Sequence, residues 1–477
     1  MSGGPAIVTI DLGTQSLRVG VRTAAGDMLF SWQRPVATRT KGIIQEQYPA
    51  QWQVLLEEGL RAAAKAVPAP AAIVACGPLA GFVPLDQNGA AIGPAVMYND
   101  ARALDDLSAV ESLATNPPGL PRPVVADPIP QALRLRREAP EIFARTRSLL
   151  DATAFLNYQL TGRTTLNAVS AIRLYGKTEN LGIASTLFGD VVPTGETIGA
   201  LQDSLCQSLG WPPIPVISAP FDSKVAYIAS GIASPGEALD ISGTVTSFGV
   251  VSAKPVIDPQ RRIYSLPLGS AHLVRGSTAA AGSIVEWARE LLGVSHADLA
   301  ALAEESAPGA EGAVLVPYHS GARAPLWQPA LRGAIHGLGL GTGRAALARS
   351  VFEGLAFSLR HIVETIESCG ARVDTVRLAG GLAKSATLSQ IKADILGRPL
   401  VVLEDTELTS LGLAIIGAVA VGAYRDTAAG SRALVREGRR FLPAPRSVGL
   451  EAAWAQYLET ADCLDKRRSP EQAARRA

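Results

Sequence analysis

Two short apolar runs, each ending in a Gly-Thr pair, lie about half the chain apart. The first contains Asp11 and leads to Gly13 and Thr14, and the second leads to Gly243 and Thr244. A β-rich run follows each pair, so both segments are predicted to be β-hairpins. A glycine at the turn can adopt backbone angles that a Cβ would block, which lets main-chain N–H groups and the Thr hydroxyl face an anion. Two such hairpins would bind a polyphosphate from two sides.

The spacing of apolar positions elsewhere predicts a two-lobed α/β chain. The strongest break near the middle is Ser234-Pro235-Gly236, which divides the chain into domains at 1–233 and 234–477. The Pro-rich segment 117–130 is expected to be a loop, and the C-terminal arginines after 466 a solvated helix end. Periodicity predicts helices at 49–66, 134–147, 221–231, 279–292 and 345–367, and strands at 71–77 and 375–379.

The amino-acid composition indicates the general class of protein but not any reaction that it catalyses. The 477 residues are 47% hydrophobic and 18% charged, which is typical of a compact soluble α/β protein. A formal net charge of +1 gives no reason to expect a nucleic-acid or membrane partner. The N-terminus has no signal-peptide pattern and no apolar run is long enough to span a bilayer, so a cytoplasmic location is expected. The four cysteines and five histidines show no metal-binding spacing.

Glycine-rich segments in the second half suggest a ligand that approaches the backbone closely. Gly380 and Gly381 stand between a predicted strand and a helix whose N-cap would be Ser385, with Gln390 further along that helix. A simple tight turn explains the two glycines equally well. The chain has no P-loop signature, and the glycines at 337–343 have the wrong spacing for a dinucleotide-binding loop.

Asp222 lies at the start of a predicted helix, directly after Pro220 and Phe221. An aspartate at such a place is most often an N-cap. It would act as a general base instead if it faced a hydroxyl group beside the phosphate site. The local sequence leaves both interpretations open.

Taken together, these residues resemble the FGGY carbohydrate kinases of the actin/hexokinase-like superfamily. The resemblance follows the order of the family's motifs over nearly the whole chain. The matching segments include Asp11-Leu-Gly13-Thr14-Gln15-Ser16-Leu-Arg18, Glu46-Gln47-Tyr48-Pro49-Ala-Gln-Trp52, Tyr98-Asn99-Asp100-Ala-Arg102, Leu160-Thr161-Gly162, Phe352-Glu353-Gly354 and Gly380-Gly381…Ser385…Gln390.

This resemblance implies an α/β fold of two RNase H-like (actin-like ATPase) domains with a central cleft for nucleotide and sugar. It also implies ATP and Mg²⁺ as cofactors and a small sugar or polyol as acceptor, in a monomer or homodimer. Asp222 would be the catalytic base and Asp11 would orient Mg²⁺. The nucleotide-binding residues implied are Thr14, Gln15 and Arg18 with Gly243 and Thr244 for the phosphates, and Gly380, Gly381 and Gln390 for the adenosine.

Departures from the family pattern concern the acceptor. Where xylulose kinases carry Met-His, this chain has Leu79 and Ala80, and the Gly-Gly before the catalytic aspartate is replaced by Pro220 and Phe221. Such a pocket should be less polar than that of a xylulose kinase, because polar groups set acceptor specificity. A ketopentose is the first expectation, with a polyol or a sugar acid as alternatives. The acceptor side would be lined by Leu79, Ala80, Tyr98, Asp100, Arg102, Phe221 and Asp222.

Two other classes of function stay open from the sequence. One is a non-catalytic sugar or nucleotide sensor, against which the joint presence of Asp11, Gly13-Thr14 and Asp222 argues. The other is an actin-like or Hsp70-like ATPase, which would share both hairpins but would not need the motifs at Glu46 and Asp100.

Overall fold

The computed structural model describes residues 4–111, 121–174, 178–405 and 407–466. Contacts divide the chain into two compact units: Met1–Gly231 with Glu407–Val435, and Ile232–Thr406 with Arg436–Ala477. The arginines expected at a solvated C-terminal end, and residues 117–120 of the expected loop, lie outside the described residues.

The first unit contains the elements up to residue 231 and two later helices. Its strands are β1 (Ala6–Leu12), β2 (Ser16–Thr23), β3 (Met28–Pro35), β4 (Thr38–Lys41), β5 (Ile44–Gln47), β6 (Ala72–Cys76), β7 (Val83–Leu85), β8 (Ala95–Val96), β9 (Ser148–Leu150), β10 (Thr165–Asn167), β11 (Asp190–Val192), β12 (Thr197–Ala200) and β13 (Pro215–Ile217). Its helices are α1 (Pro49–Ala66), α2 (Leu107–Glu111), α3 (Pro128–Glu138), α4 (Pro140–Arg145), α5 (Ala152–Thr161), α6 (Ala168–Ala171), α7 (Asp203–Leu209), α8 (Asp222–Ile228), α13 (Leu408–Ala420) and α14 (Thr427–Leu434).

The second unit is built from fewer and longer elements. Its strands are β14 (Glu237–Ser242), β15 (Thr246–Ser252), β16 (Tyr264–Leu268), β17 (Ala271–Ser277), β18 (Val314–Val316), β19 (Ala334–His336), β20 (Thr375–Ala379), β21 (Leu400–Leu403) and β22 (Glu437–Phe441). Its helices are α9 (Gly282–Leu292), α10 (His296–Glu305), α11 (Arg344–Ser368), α12 (Ala386–Leu396) and α15 (Val448–Lys466). Short 3-10 helices of the chain lie at Arg102–Asp106, Ile172–Leu174, Thr178–Leu181, Ser185–Phe188, Ala310–Gly312 and Gly381–Lys384.

The central sheets of the two units repeat one plan. In the first, the order is β12-β13-β6-β1-β2-β3, with β1, β6 and β13 parallel and β1–β2 an antiparallel hairpin. In the second, the order is β16-β17-β15-β14-β20-β21-β22, with β14, β20 and β21 parallel and β14–β15 the hairpin. Both predicted hairpins are therefore present, each beside two parallel strands. This repeated arrangement agrees with the expected pair of RNase H-like domains.

Each sheet is covered by helices whose apolar faces pack on it. Trp52, Leu56 and Leu60 of α1 are buried in the core of the first unit, where α1 packs on the strands β2 and β3. In the second unit α11 is buried along most of its 25 residues and contacts α9, α12 and β18. Burial of such apolar surface is the main force that holds helix and sheet together.

Helices α13 and α14 belong to the first unit, although the sequence placed all of 234–477 in the second domain. Helix α13 is apolar around most of its surface and packs on β1, β6 and α8. Gly417 allows this close approach, because a Cβ there would overlap the side chains of Ile7 and Val74. Such tertiary packing has no local sequence signal. The chain also passes between the units at Gly231–Ile232, close to the expected boundary at 233–234.

The prediction of one helix at 134–147 with a solvated arginine-rich face is wrong in the limits of the helix and in the exposure of Arg134. The structure has α3 and α4 here, separated at Ala139, because Pro140 cannot continue the hydrogen bonding of α3. Arg134 is buried rather than solvated, and it donates to Gln131 and Glu138 on its own helix. The other predicted helices are present with shifts of one to three residues at their ends, and α1 has the predicted limits. None of the described helices is long and apolar enough to cross a bilayer.

Candidate active site

Asp11 lies at the carboxyl end of β1 and is 6% exposed. It is paired with Arg18 across the hairpin and with Cys76 on the parallel strand β6. Arg18 Nη1 donates to Asp11 Oδ2 at 3.0 Å, while the Cys76 thiol contacts Oδ1 at 3.9 Å. The carboxylate therefore has one strong cationic partner and keeps acceptor capacity on Oδ1.

Burial raises the pKa of Asp11, and the neighbouring charge of Glu407 raises it further, while Arg18 counteracts both. Mg²⁺ is commonly held by one or two carboxylates together with waters and substrate phosphates. Asp11 fits that role because it is a hard oxygen donor with spare acceptor capacity. Among the described residues no group of three or more His, Cys, Asp or Glu could hold a metal ion.

The turn between β1 and β2 is supported by the Glu-Gln-x-Pro…Trp motif. Gln47 is fully buried, and its Nε2 donates to the main-chain oxygen of Thr14 at 2.8 Å. The indole N–H of Trp52 donates to Gln47 Oε1 at 2.9 Å, which fixes the amide. The motif thus fixes the turn through the main-chain oxygen of Thr14. Gln15 and Arg18 are exposed, and Thr14 is partly exposed.

The expected reason for glycine in the two turns is wrong. Neither Gly13 nor Gly243 has a positive φ. A Cβ on Gly243 would meet no atom within 4 Å, and on Gly13 it would meet only the oxygen of Ser16, at 3.3 Å. The absent side chain at Gly243 therefore leaves room for another molecule to approach the backbone.

Asp222 follows β13 and is the first residue of α8, one position after the N-cap residue Phe221. The Asp222 N–H donates to the carbonyl of Gly77, directly after β6, at 2.9 Å. The Asp222 side chain is partly exposed. Burial raises the pKa of the Cys76 thiol well above its ordinary value, and the charges of Asp11 and Asp222 add to this effect. The structure therefore brings both predicted carboxylates close to one thiol, at the carboxyl ends of the three neighbouring parallel strands β1, β6 and β13. This is the edge at which α/β sheets place their ligands.

The loop after β6 has a strained backbone. Ala80 is buried and has φ +92°, a conformation that costs a residue with a Cβ on the order of 1–3 kcal/mol. Its carbonyl accepts from Ala152 N at 3.0 Å, and the Gly77 N–H donates to Thr153 Oγ1 at 2.9 Å. Of the three apolar residues expected at the acceptor, only Leu79 is partly exposed, whereas Ala80 and Phe221 are buried.

The start of α5 was not singled out in the sequence. Asp151 caps this helix by accepting from Ala154 N at 2.8 Å, and the helix start then holds the loop after β6 through Ala152 and Thr153. Burial raises the pKa of Asp151 to about 6. An aspartate followed by helix-forming residues is an N-cap signal that the sequence offered.

Asp100 and Arg102 form a buried ion network instead of an open pair of ligands. Asp100 has no exposed surface, and its oxygens accept from Arg102 and from the main chain of Gln45. Arg102 Nη2 also donates to Glu46 Oε1 at 2.7 Å. Burial alone would raise the pKa of Asp100, but these donors outweigh it and hold the pKa below its ordinary value. The network ties β5 to the segment after β8, and Tyr98, at 37% exposure, lies at its surface.

The second unit brings the other predicted residues to the ends of β14 and β20. Gly380 has φ +86°, and a Cβ there would overlap the carbonyl of Ser242, so the position requires glycine. Gly381 is exposed, as is Thr244 on the neighbouring turn. Ser385 is the N-cap of α12, as predicted, and accepts from Leu388 N at 3.2 Å.

Gln390 lies on α12, four residues before Asp394. Its Nε2 donates to Asp394 Oδ1 and to the carbonyl of Leu442, both at 2.8 Å. These two bonds fix the orientation of the amide, and the side chain is partly exposed.

Comparison with solved structures identifies the fold. A xylulose kinase from Lactobacillus acidophilus superposes with a TM-score of 0.91 over 96% of this chain and 98% of that one, at 19% identity. This likeness confirms the fold expected from the sequence, the actin-like ATPase fold of the carbohydrate kinases.

The sequence comparisons identify the family. The N-terminal and C-terminal domain models of the FGGY family of carbohydrate kinases match residues 6–229 and 239–421. The xylulose kinase of Escherichia coli (strain K12) is 25% identical over 82% of this chain and 85% of that protein. The glycerol kinase of Dechloromonas aromatica (strain RCB) is 37% identical, but that match spans 40% of this chain and about two fifths (39%) of that protein. The chain belongs to the FGGY family of carbohydrate kinases and is an ATP-dependent sugar kinase.

Proposed function

We propose that this kinase transfers the γ-phosphoryl group of MgATP to a hydroxyl group of a ketopentose or a related small sugar. The observation that carries the proposal is the convergence of Asp11 and Asp222 beside Cys76, where β1 and β13 end on either side of the parallel strand β6. One carboxylate is buried next to an arginine, and the other is partly exposed at a helix start. These are the environments suited to a metal-orienting acid and to a base, respectively.

Asp222 is proposed to accept the proton of the acceptor hydroxyl as that oxygen attacks the γ-phosphorus. Its main chain is anchored to Gly77, so the carboxylate has a fixed starting point. Mg²⁺, when bound, would neutralise charge on the phosphates, and Asp11 would hold it through its waters. The phosphate contacts proposed are Thr14, Gln15, Arg18, Gly243 and Thr244, and the adenosine contacts proposed are Gly380, Gly381 and Gln390.

For the acceptor side, direct contact is proposed for Leu79, Tyr98 and Asp222, which are at least partly exposed. Ala80, Phe221, Asp100 and Arg102 are proposed to act through the backbone and the ion network that they support, because their side chains are buried or already paired. A loop lined by Leu79 offers few hydrogen-bond donors. The hydroxyl groups of the acceptor would therefore form their hydrogen bonds with other residues of the site. As in the expectation from the sequence, a ketopentose is proposed ahead of a polyol or a sugar acid. A cytoplasmic location and a monomeric or homodimeric state stay predictions.

The test is ADP release from MgATP with ketopentoses, pentitols, glycerol, hexuloses and sugar acids as acceptors. One strong response among the ketopentoses supports the proposal. A stronger response with another class of acceptor would refute the proposed ketopentose. Turnover of MgATP that does not depend on any acceptor would refute phosphoryl transfer to a sugar.

Two variants test the assigned residues in the same assay. Asp222→Asn should lower kcat by orders of magnitude and leave the affinity for MgATP nearly unchanged, because it removes the base and not the nucleotide contacts. Asp11→Asn should instead raise the Mg²⁺ concentration needed for half-maximal rate. An equal loss of nucleotide binding in Asp222→Asn would show a structural role.

A further inference from the structure

A buried ion pair lies directly beneath the turn that carries Gly243 and Thr244. Lys392 Nζ, on α12, donates to Asp240 Oδ2 at 2.5 Å and to Ser242 Oγ at 2.9 Å. The two charged side chains are 5% and 0% exposed. A buried ion pair often stabilises a fold no better than well-packed apolar residues would, because both charges lose their hydration. Its contribution here is therefore better sought in the geometry that it imposes.

The hydrogen bonds around Lys392 allow only one assignment of donors and acceptors. Ser242 Oγ donates its single hydrogen to Asp240 Oδ1 at 2.7 Å. In the 3.0 Å bond between Ser242 and Thr246 the hydroxyl of Thr246 must therefore be the donor. Ser242 is the last residue of β14 and Thr246 is the first residue of β15, and they form the strand pair next to the turn. The ion pair thus fixes both ends of the turn at 243–245.

The same turn is also held from the side, by the start of α9. Ala281 N donates to the oxygen of Thr244, and Gly282 N donates to the oxygen of Gly243, both at 2.8 Å. These bonds occupy the carbonyl groups of Gly243 and Thr244 and direct them toward α9, while the carbonyl of Val245 accepts from Gly243 N within the turn at 3.0 Å. A bound phosphate would be repelled by carbonyl oxygens that faced it, so this orientation favours an anion at the turn.

We propose that Lys392 and Asp240 are positioning residues for the nucleotide phosphates, which fix the turn at 243–245 before the nucleotide binds. The inference rests on the proposed function, since it takes Gly243 and Thr244 as phosphate contacts. Helix α12 carries both Lys392, toward this turn, and Gln390, at the proposed adenosine contact. One helix would therefore set the phosphate and adenosine parts of the nucleotide site relative to each other.

The test is the double variant Asp240→Leu/Lys392→Met, which removes both charges together and leaves neither of them buried alone. If the turn loses part of its order, binding must restore that order, and KM for MgATP should rise about tenfold. KM for the acceptor and the affinity for AMP, which lacks the β- and γ-phosphates, should not change. The matched control is Arg349→Met/Glu353→Leu, a pair in the same unit that is 9% and 1% exposed and bonds to the main chain at Gly309, Ala303 and Ser306. This control should leave KM for MgATP unchanged.

An unchanged KM for MgATP in a folded double variant would overturn the inference. An equal loss of AMP affinity would also overturn it, because it would show a general effect on the second unit. If the double variant does not fold, Ser242→Ala keeps the ion pair and removes the hydroxyl that links it to Thr246, and the same split between MgATP and AMP is expected. Failure of the proposed function is seen separately, since the unmodified enzyme would then show no acceptor-dependent turnover in the same assay.

Discussion

Replacing Asp151 with Asn should stabilise the protein at neutral pH and lose this effect in acid. Asp151 is buried at the start of α5, where its carboxylate caps the helix by accepting from Ala154 N. Asn caps a helix about as well as Asp does, so the substitution keeps this bond and removes only the charge. The expected result follows from the cost of holding a carboxylate away from water.

The magnitude follows from the raised pKa. Burial raises the pKa of Asp151 from 3.8 to about 6, against the opposing bonds from Ala154, Ser170 and Thr153. Between these two values the folded protein binds the proton more tightly than the unfolded chain does. The stability of the unmodified protein therefore rises as pH falls from about 6 to 3.8, and above pH 6 the charged form costs about 3 kcal/mol. The variant behaves like the protonated form at every pH.

Thermal or urea unfolding of both proteins between pH 4 and pH 8 measures the difference. Asp151→Asn should be more stable by about 3 kcal/mol at pH 8, and the gap should close toward pH 4. The exposed Asp190, changed to Asn, serves as the control for the loss of one carboxylate from the surface. A gap for Asp151→Asn that is constant over this pH range, or a variant less stable at pH 8, would refute the reasoning.

Three further substitutions test other parts of the structure. Ala80→Val should cost about 2 kcal/mol or more in urea unfolding, because a β-branched residue strongly disfavours φ +92°; a cost no larger than that of Leu79→Val would contradict this. Arg102→Met should cost about 3–5 kcal/mol, because it leaves the carboxylate of Asp100 buried without its cation. Arg102→Lys should recover part of that loss, and no recovery would argue against the ionic explanation. Burial lowers the pKa of His361 to about 4. As pH falls from 6.5 to about 4, the unfolded chain therefore binds the proton before the folded protein does, and the folded protein loses stability. His361→Phe should remove up to about 3 kcal/mol of this loss, and an unchanged dependence of stability on pH would contradict the reasoning.

Local signals predicted the elements that carry the candidate site. The apolar runs before Gly13 and Gly243 gave both hairpins, and Ser385 was recognisable as an N-cap because its side chain is typed for that position. The break at Pro140 was also readable, since proline ends the preceding helix, but the charged run around it hid the signal. What a helix packs against has no such signal. The assignment of α13 to the first unit depends on contacts with β1 and β6, which are more than 300 residues away in the sequence.

Ion pairs between residues that are distant in the sequence could not be predicted either. Asp100 and Arg102 were expected at the acceptor because of the family motif that contains them. The pairing of Arg102 with Glu46 appears only when β5 and β8 meet. Lys392 and Asp240 are 152 residues apart, and each alone looks like an ordinary surface charge. Burial turns these residues into networks, and burial is a property of the assembled sheet.

The repeated fold explains why similar hairpins carry different chemistry. Asp11 stands two residues before Gly13 and pairs with Cys76, and the equivalent place before Gly243 is Ile241, which pairs with Ala379. The acidic residue of the second hairpin, Asp240, is one position earlier. Side chains alternate along a strand, so this offset of one residue directs a carboxylate to the opposite face of the sheet. There Asp240 meets Lys392 and supports the turn, whereas Asp11 stands beside Arg18 and Cys76 at the end of its strand, where we propose that it orients the metal ion.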